Sequence, residues 1–292
     1  GINLTLSGGT IGASTYENGN TATQYGGGLY VGPYRSGLNT KKPDCTISGC
    51  TIKYNTANES GGGVFAEECT MTFSSGSVSN NKVYSDSAIY ISGGGVYIKK
   101  GSLGISGTAE ISNNMVSAGS GTLGVSGGGL FIYENGNVTM EGGSIKANIV
   151  SSSIASMGGG VYITNGKMTL SGGTIISNTA SDTSGSIVPG GAMGGGFFIN
   201  NSGELTMTGG SINSNTASTT YGSCFGCGIY SSGKLTLTSG ELKSNSSSTM
   251  GGGIFVSPSV GSTDCSLTWN STTITGNTAS TIAPNYYINN GV

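Results

Sequence analysis

The chain of 292 residues contains no histidine and a single arginine, Arg35. Acid–base or nucleophilic chemistry would therefore fall to carboxylates, lysines, cysteines and hydroxyls. Cleavage of a polysaccharide needs clustered carboxylates, or a carboxylate beside a basic group. The 13 acidic residues are scattered. Alignment brings together only Glu67 and Glu68 with Lys99, Lys100 and Glu134, and their alternating signs read as a neutralised ladder. Asp44, Asp86, Asp182 and Asp264 fall in separate loops. A polysaccharide-acting, pectate-lyase-like enzyme is thus the alternative reading, and no catalytic residue is assigned. Cys224-x-x-Cys227 has the spacing of a redox or zinc half-site. Without a second such pair or any histidine, no metal site and no cofactor are expected. The six cysteines, Cys45, Cys50, Cys69, Cys224, Cys227 and Cys265, suit an oxidising compartment. Their pairing cannot be chosen from sequence.

The residues that remain for function are aromatics and hydroxyls, and both recur. Three glycines, an aliphatic residue and an aromatic return about every 32 residues, the mark of a solenoid. The aromatic column is Tyr30, Phe65, Tyr97, Phe131, Tyr162, Phe198, Tyr230, Phe255 and Tyr287. Its neighbours are mostly aliphatic, so this strand is apolar on both faces, and such a strand is usually covered on both. Which face points inward is open. The outer column is the candidate binding surface, for sugars or a partner strand, unless loops such as residues 181–193 fold over it.

Positioning these columns requires stacked strands. Each coil reads as three short strands, for example around Val161-Tyr162-Ile163, Met168-Thr169-Leu170 and Thr174-Ile175. In the second strand the inward pairs run from Leu4/Leu6 to Leu267/Trp269. Threonine faces outward at Thr5, Thr46, Thr72, Thr139, Thr169, Thr206, Thr236 and Thr268, interrupted by Gly104. Hydroxyl columns of this kind also suit ice binding, but Glu141 and Asn270 break the adjacent column, and threonine is a favoured exposed strand residue. An aliphatic-x-x-Asn unit supplies a structural ladder at Asn55, Asn81, Asn114, Asn148, Asn178, Asn215, Asn245 and Asn277. Only the first coil breaks it, with Ile11/Ser14. Asparagine suits left-handed backbone angles at a corner, and stacked amides bond along the axis. The glycine run removes Cβ atoms at a bend or close approach. No Lys-Ser/Thr follows it, which argues against phosphate binding.

The fold expected is all-β: a right-handed parallel β-helix of about nine coils of three short strands, with no cap seen. Residues 1–292 form one domain, expected to be a section of a longer surface protein. Charged residues make up 8% against a usual quarter, with a net charge of −2. A nucleic-acid partner is excluded by that balance, and no apolar run is long enough for a membrane-spanning helix.

Ile175-x-x-Asn178 followed by Gly194-Gly195-Gly196-Phe197 resembles the repeats of the chlamydial polymorphic outer-membrane proteins, which carry Phe-x-x-Asn and Gly-Gly-Ala-Ile motifs. The resemblance covers essentially the whole chain. It departs in having Ile, Val or Leu for Phe, and Gly for the third small residue. It implies a secreted or surface-displayed β-helix that adheres to host or neighbouring cells. The expected function is a non-catalytic extracellular adhesin or structural module, located outside the cell or on its surface. Its partners would be a cell-surface protein or glycan. A carbohydrate-binding module and a self-associating filament subunit, joined by end stacking or lateral contact, are alternatives.

Overall fold

The computed structural model describes residues 3–36, 39–119, 122–183, 191–220, 222–258 and 265–289. Almost every described strand pairs in parallel with its counterpart one coil away, so the chain is a parallel β-helix. The antiparallel pairing of Tyr34–Ser36 with Asn39–Lys41 is a side excursion. Two ladders run through nine strands each, which is about eight turns of the solenoid.

The three strands expected of each coil are present, and the structure adds two more. In one coil they are Val161–Thr164, Lys167–Leu170 and Thr174–Ile176, then Thr179–Asp182 and Gly191–Met193. The fourth strand is too short, and too rich in Ala, Ser and Thr, for periodicity to mark it. The fifth lies inside the variable loop. It forms its own five-stranded sheet, here called the cover sheet, over the middle coils.

Alternation divides each strand between core and surface. Val96 and Ile98 point into the main core and meet Leu103, Ile105 and Ile111 from the next two strands. Burying each such side chain contributes about 1.5–3 kcal/mol. A second, smaller core of Val83, Ile91, Val116, Val125 and Val150 fills the space between the fourth strands and the cover sheet. The threonine column holds its register from Thr5 opposite Thr46 to Thr236 opposite Thr268, with Gly104 in place between Thr72 and Thr139.

The asparagine ladder is buried, with Asn81, Asn114 and Asn148 fully enclosed. Asn114 Nδ2 donates to Asn148 Oδ1 at 3.0 Å in the following coil and to Val78 O at 2.8 Å in the preceding one. Its Oδ1 accepts from the backbone N–H and Nδ2 of Asn81, at 2.9 and 3.0 Å. Every polar atom of the amide is thereby satisfied, as burial demands.

Two expectations about this ladder are corrected. The left-handed angle falls on the residue before the asparagine, at Asn80 (φ 54°), Asn113 (φ 53°) and Ala147 (φ 53°). The turn is made one position earlier, and asparagine is needed for its side-chain amide. The first coil also does not break the ladder. Asn20 Nδ2 donates to Asn55 Oδ1 at 2.8 Å, while Thr21–Ala22 pairs with Thr56–Ala57. An excursion carrying a 3-10 turn at Tyr16–Asn18 displaces the residue from its usual spacing. At the far end, Asn277 Nδ2 donates to Asn285 Oδ1 at 3.2 Å.

The glycine triplet has three separate causes, seen in one coil. Gly93 adopts a left-handed φ of 68°, where a side chain is strained. A Cβ on Gly94 would stand 2.6 Å from the carbonyl oxygen of Gly128. A Cβ on Gly95 would stand 2.6 Å from Gly129 O and 2.8 Å from Asn114 Nδ2. Cys227 occupies the middle position in its own coil and points into the smaller core, where Ala217 N–H donates to Sγ at 3.0 Å.

Candidate functional site: an aromatic spine and its groove

The first strand resolves which of its two apolar faces points inward. Val64, Val96, Leu130 and Val161 belong to the main core, as do their partners two residues on. The aromatics between them face outward and form a cluster of their own, Phe65, Tyr97, Phe131, Tyr162 and Phe198. Ring centroids of Phe65 and Tyr97 lie 4.8 Å apart, those of Tyr97 and Phe131 4.9 Å, and those of Phe131 and Tyr162 4.9 Å, with interplanar angles of 13°, 14° and 5°. The same stacking links Tyr30 to Phe65 at one end, and Tyr230, Phe255 and Tyr287 at the other.

These separations match the strand spacing, so parallel pairing itself holds the rings face to face. Each of the five central rings is only 4–8% exposed. Their faces are taken by one another, and what they present outward is their edges. This corrects the picture of an open stacking platform for sugars along the whole column. Tyrosine and phenylalanine alternate strictly, so no two hydroxyls are adjacent in the stack.

What lies beside the spine changes along the rod. The cover-sheet position next to each aromatic is the residue just before the glycine triplet. Tyr25 pairs with Ser60 and Ser60 with Ser92, then Ser92 with Ser126 and Ser126 with Met157. The row continues as Met193, Phe225, Met250 and Ile282. Met157 and Met193 pack against the aromatic cluster. The spine is open along the serine stretch, and a smaller groove of about 300 Å³ remains over Tyr230, Phe255 and Tyr287, where methionine and phenylalanine stand beside it. Of the loop at 181–193, residues 184–190 lie outside the described residues.

Over the open stretch lies a groove of about 480 Å³ with Phe65, Tyr97 and Phe131 as its floor. One wall carries Glu59, Ser60, Tyr90 and Ser92, and the other Glu67, Lys99 and Tyr133. Tyr25 and Tyr30 stand at its end, both stacked on Phe65 with centroids 4.8 and 5.4 Å away. Tyr30 Oη donates to Glu67 at 3.2 Å. Tyr90 is 71% exposed. Its ring passes over Gly124, where an added Cβ would meet Cδ1 at 3.3 Å.

Burial pushes the Tyr97 phenol well up, and Tyr162, further along the spine, up to about 12. Partial burial and a hydrogen bond to Glu59 push Tyr25 the same way. Lys99 is held above its ordinary value chiefly by its hydrogen bond to Glu67. At neutral pH these three phenols are therefore uncharged hydroxyls.

The charged cluster is a ladder of pairs. Lys99 Nζ lies 3.0 Å from Glu67, and Lys100 Nζ 3.0 Å from Glu134. Glu68, Lys100 and Glu134 all take left-handed angles, φ 48°, 53° and 46°, so the column marks the corner after the first strand. Among the described residues no group of three metal-holding side chains comes together. Asp264 lies outside the described residues. All six thiols are free, five of them buried, with Cys224 and Cys227 in the smaller core.

Tyr25, Tyr90, Tyr133, Glu59 and the serine row were not marked by the sequence reading. A signal was present for the serines: the residue before each glycine triplet changes from Ser to Met between Ser126 and Met157. Tyr90 opens the cover-sheet strand Tyr90–Ser92 and Glu59 sits in a bend, both within connections of unequal length where alignment gives no column.

Fold and site together define a parallel β-solenoid with an external aromatic spine. Compared with known proteins, the chain matches no family model, no curated protein and no solved structure.

Proposed function

We propose that this solenoid is a non-catalytic adhesive module, displayed outside the cell, that binds its target through the aromatic-spine face. The observation that carries this reading is the open groove along the serine stretch of the spine. It gathers exposed tyrosines on a rigid scaffold, and aromatic residues with a polar end are favoured at recognition surfaces. The acid–base pairs support binding over catalysis. Glu67 is paired with Lys99 and Glu134 with Lys100, which leaves opposite charges neutralised along the corner. The resemblance of the repeats to those of polymorphic outer-membrane proteins accords with surface display.

The test is an adhesion assay with beads carrying the protein, applied to intact cells and to extracted cell-surface material. Tyr25→Ser with Tyr90→Ser is expected to abolish adhesion. Thr169→Lys with Thr206→Lys, on the threonine face, is expected to leave it unchanged. Equal adhesion by both variants would remove the aromatic face from consideration. Adhesion by no form of the protein would end the adhesive reading.

A further inference from the structure

Occupancy of the groove is restricted first by its backbone. A peptide added as an extra strand needs a free edge of N–H and C=O groups. The first strands flanking the groove are paired on both sides, as Val96–Lys99 is with Val64–Glu67 and with Leu130–Tyr133. On the other wall Ser92 pairs with both Ser60 and Ser126. Along Phe65, Tyr97 and Phe131 the groove therefore offers side chains and no strand edge; only at its Tyr30 end is Leu29–Val31 the outermost strand of the ladder.

Its electrostatics restrict it further. An aromatic ring is negative on its face and positive at its edge. The floor presents edges, so it favours oxygen acceptors and gives no cation–π surface. Glu67 and Lys99 neutralise each other, and Glu59 leaves a small negative balance that disfavours polyanions. Hydroxyls of Tyr25, Tyr97 and Tyr133 point to hydrogen-bond partners that both donate and accept. Tyr90, at 71%, is the most exposed of the tyrosines lining the groove.

The groove also has a defined length. It runs from Tyr25 and Tyr30 to Phe131 and Tyr133, three coil steps of ~4.8 Å or about 14 Å. Beyond Ser126, Met157 closes it.

From these observations we infer that the groove over Phe65, Tyr97 and Phe131 binds a short, uncharged oligosaccharide. One sugar ring stacks on Tyr90, and its hydroxyls bond to the tyrosine hydroxyls and to Glu59. This assignment rests on the reading of the rod as a binding module, and gives that module its ligand class.

The experiment uses the full chain and an array of uncharged oligosaccharides of two to five units, followed by calorimetry on those that bind. Polygalacturonate, heparin and an extended-peptide library are the competitors. The repeat itself supplies the decisive variants. Ser92→Met and Ser126→Met extend the methionine row by up to two rungs, with a residue that the same position already accepts at Met157 and Met193. Binding of a neutral oligosaccharide is expected to fall by more than about tenfold in each, with an unchanged melting temperature. Tyr90→Ala, an exposed rim change, is expected to weaken binding on the order of two- to tenfold, as loss of one aromatic contact implies. Met157→Ser is expected to lengthen the preferred oligosaccharide.

The assignment is overturned if no neutral oligosaccharide binds. Preference for acidic polysaccharide or peptide overturns it, as does neutral-sugar affinity that survives both serine-to-methionine changes. Should cells still be bound in such a case, the adhesive reading stands and only the ligand class falls.

Discussion

A Cβ atom on Gly95 would stand 2.8 Å from Nδ2 of Asn114, the amide that donates to Val78 O and to Asn148 Oδ1. The third glycine of the triplet is small because the asparagine ladder passes beside it. Two motifs that look independent along the chain are two sides of one contact.

Removing either side should therefore be costly, and the costs should overlap. Asn114→Ala removes the Asn114 partner of the Asn81 amide and of Val78 O at a buried corner, a loss of about 2–4 kcal/mol. Gly95→Ala forces its methyl against Asn114 and Gly129 O and should cost a similar amount. The double variant should be less destabilised than the sum of the two, because the clash with Asn114 is gone. Urea unfolding of the three variants measures this, and strict additivity would show that the two columns do not interact.

The spine should distinguish loss of a ring from change at its edge. Phe131→Ala opens a gap between Tyr97 and Tyr162 and should cost about 3–5 kcal/mol. Phe131→Tyr adds a hydroxyl at the outward edge, over the groove, and should change stability by less than about 1 kcal/mol. A large penalty for Phe131→Tyr in thermal unfolding would mean that the edges do not face outward.

Alkaline stability should carry the signature of the buried phenols. Burial raises Tyr162 from 10.0 to about 12, so its neutral form is favoured in the folded state. The unfolded chain loses this proton first as pH rises. The contribution is thus complete below about pH 10 and is lost as pH rises towards 12. Tyr162→Phe should leave stability at pH 7–9 nearly unchanged. It should flatten the decline above pH 10 by on the order of 1–2 kcal/mol near the upper end of that window. Melting curves at half-unit steps of pH test this, and an unaltered decline in Tyr162→Phe would rule out that phenol as a source.

Thiol reactivity should single out one cysteine. Burial pushes Cys45 up to about 11 and Cys69 and Cys227 up to about 12, and raises Cys50 and Cys224 as well. Cys265 alone is partly exposed. The thiolate is the reactive form. At pH 8 a disulfide reagent should modify Cys265 in the native protein and the other five only on unfolding. Mass spectrometry of the labelled peptides would show it, and rapid native labelling of Cys69 or Cys227 would contradict the packing.

Charge reversal along the corner tests register more than stability. Glu67→Lys places one lysine directly opposite Lys99. Exposed pairs contribute roughly 0–1 kcal/mol, so the expected loss is small and should shrink further at high salt. A salt-independent loss above about 2 kcal/mol would indicate a different alignment of the two coils.

The sequence by itself determined the repeat, the inward alternation and the strand register. In a parallel solenoid each position stacks on its own counterpart, so columns of Thr5, Thr46 and Thr72, or of Asn81 and Asn114, can be read without coordinates. Their spacing along the axis follows from backbone pairing alone. Neighbours across the coil were not legible. Whether Tyr97 or Val96 faced the core depended on how both apolar faces of one strand were shared between the main core and the spine. That Ser92 lines a larger groove over the spine than Met193 does depended on the path of loops of unequal length. Contacts between different columns are set by how the coil closes in cross-section. That closure is a balance of burial over the whole turn, and no single period in the sequence carries it.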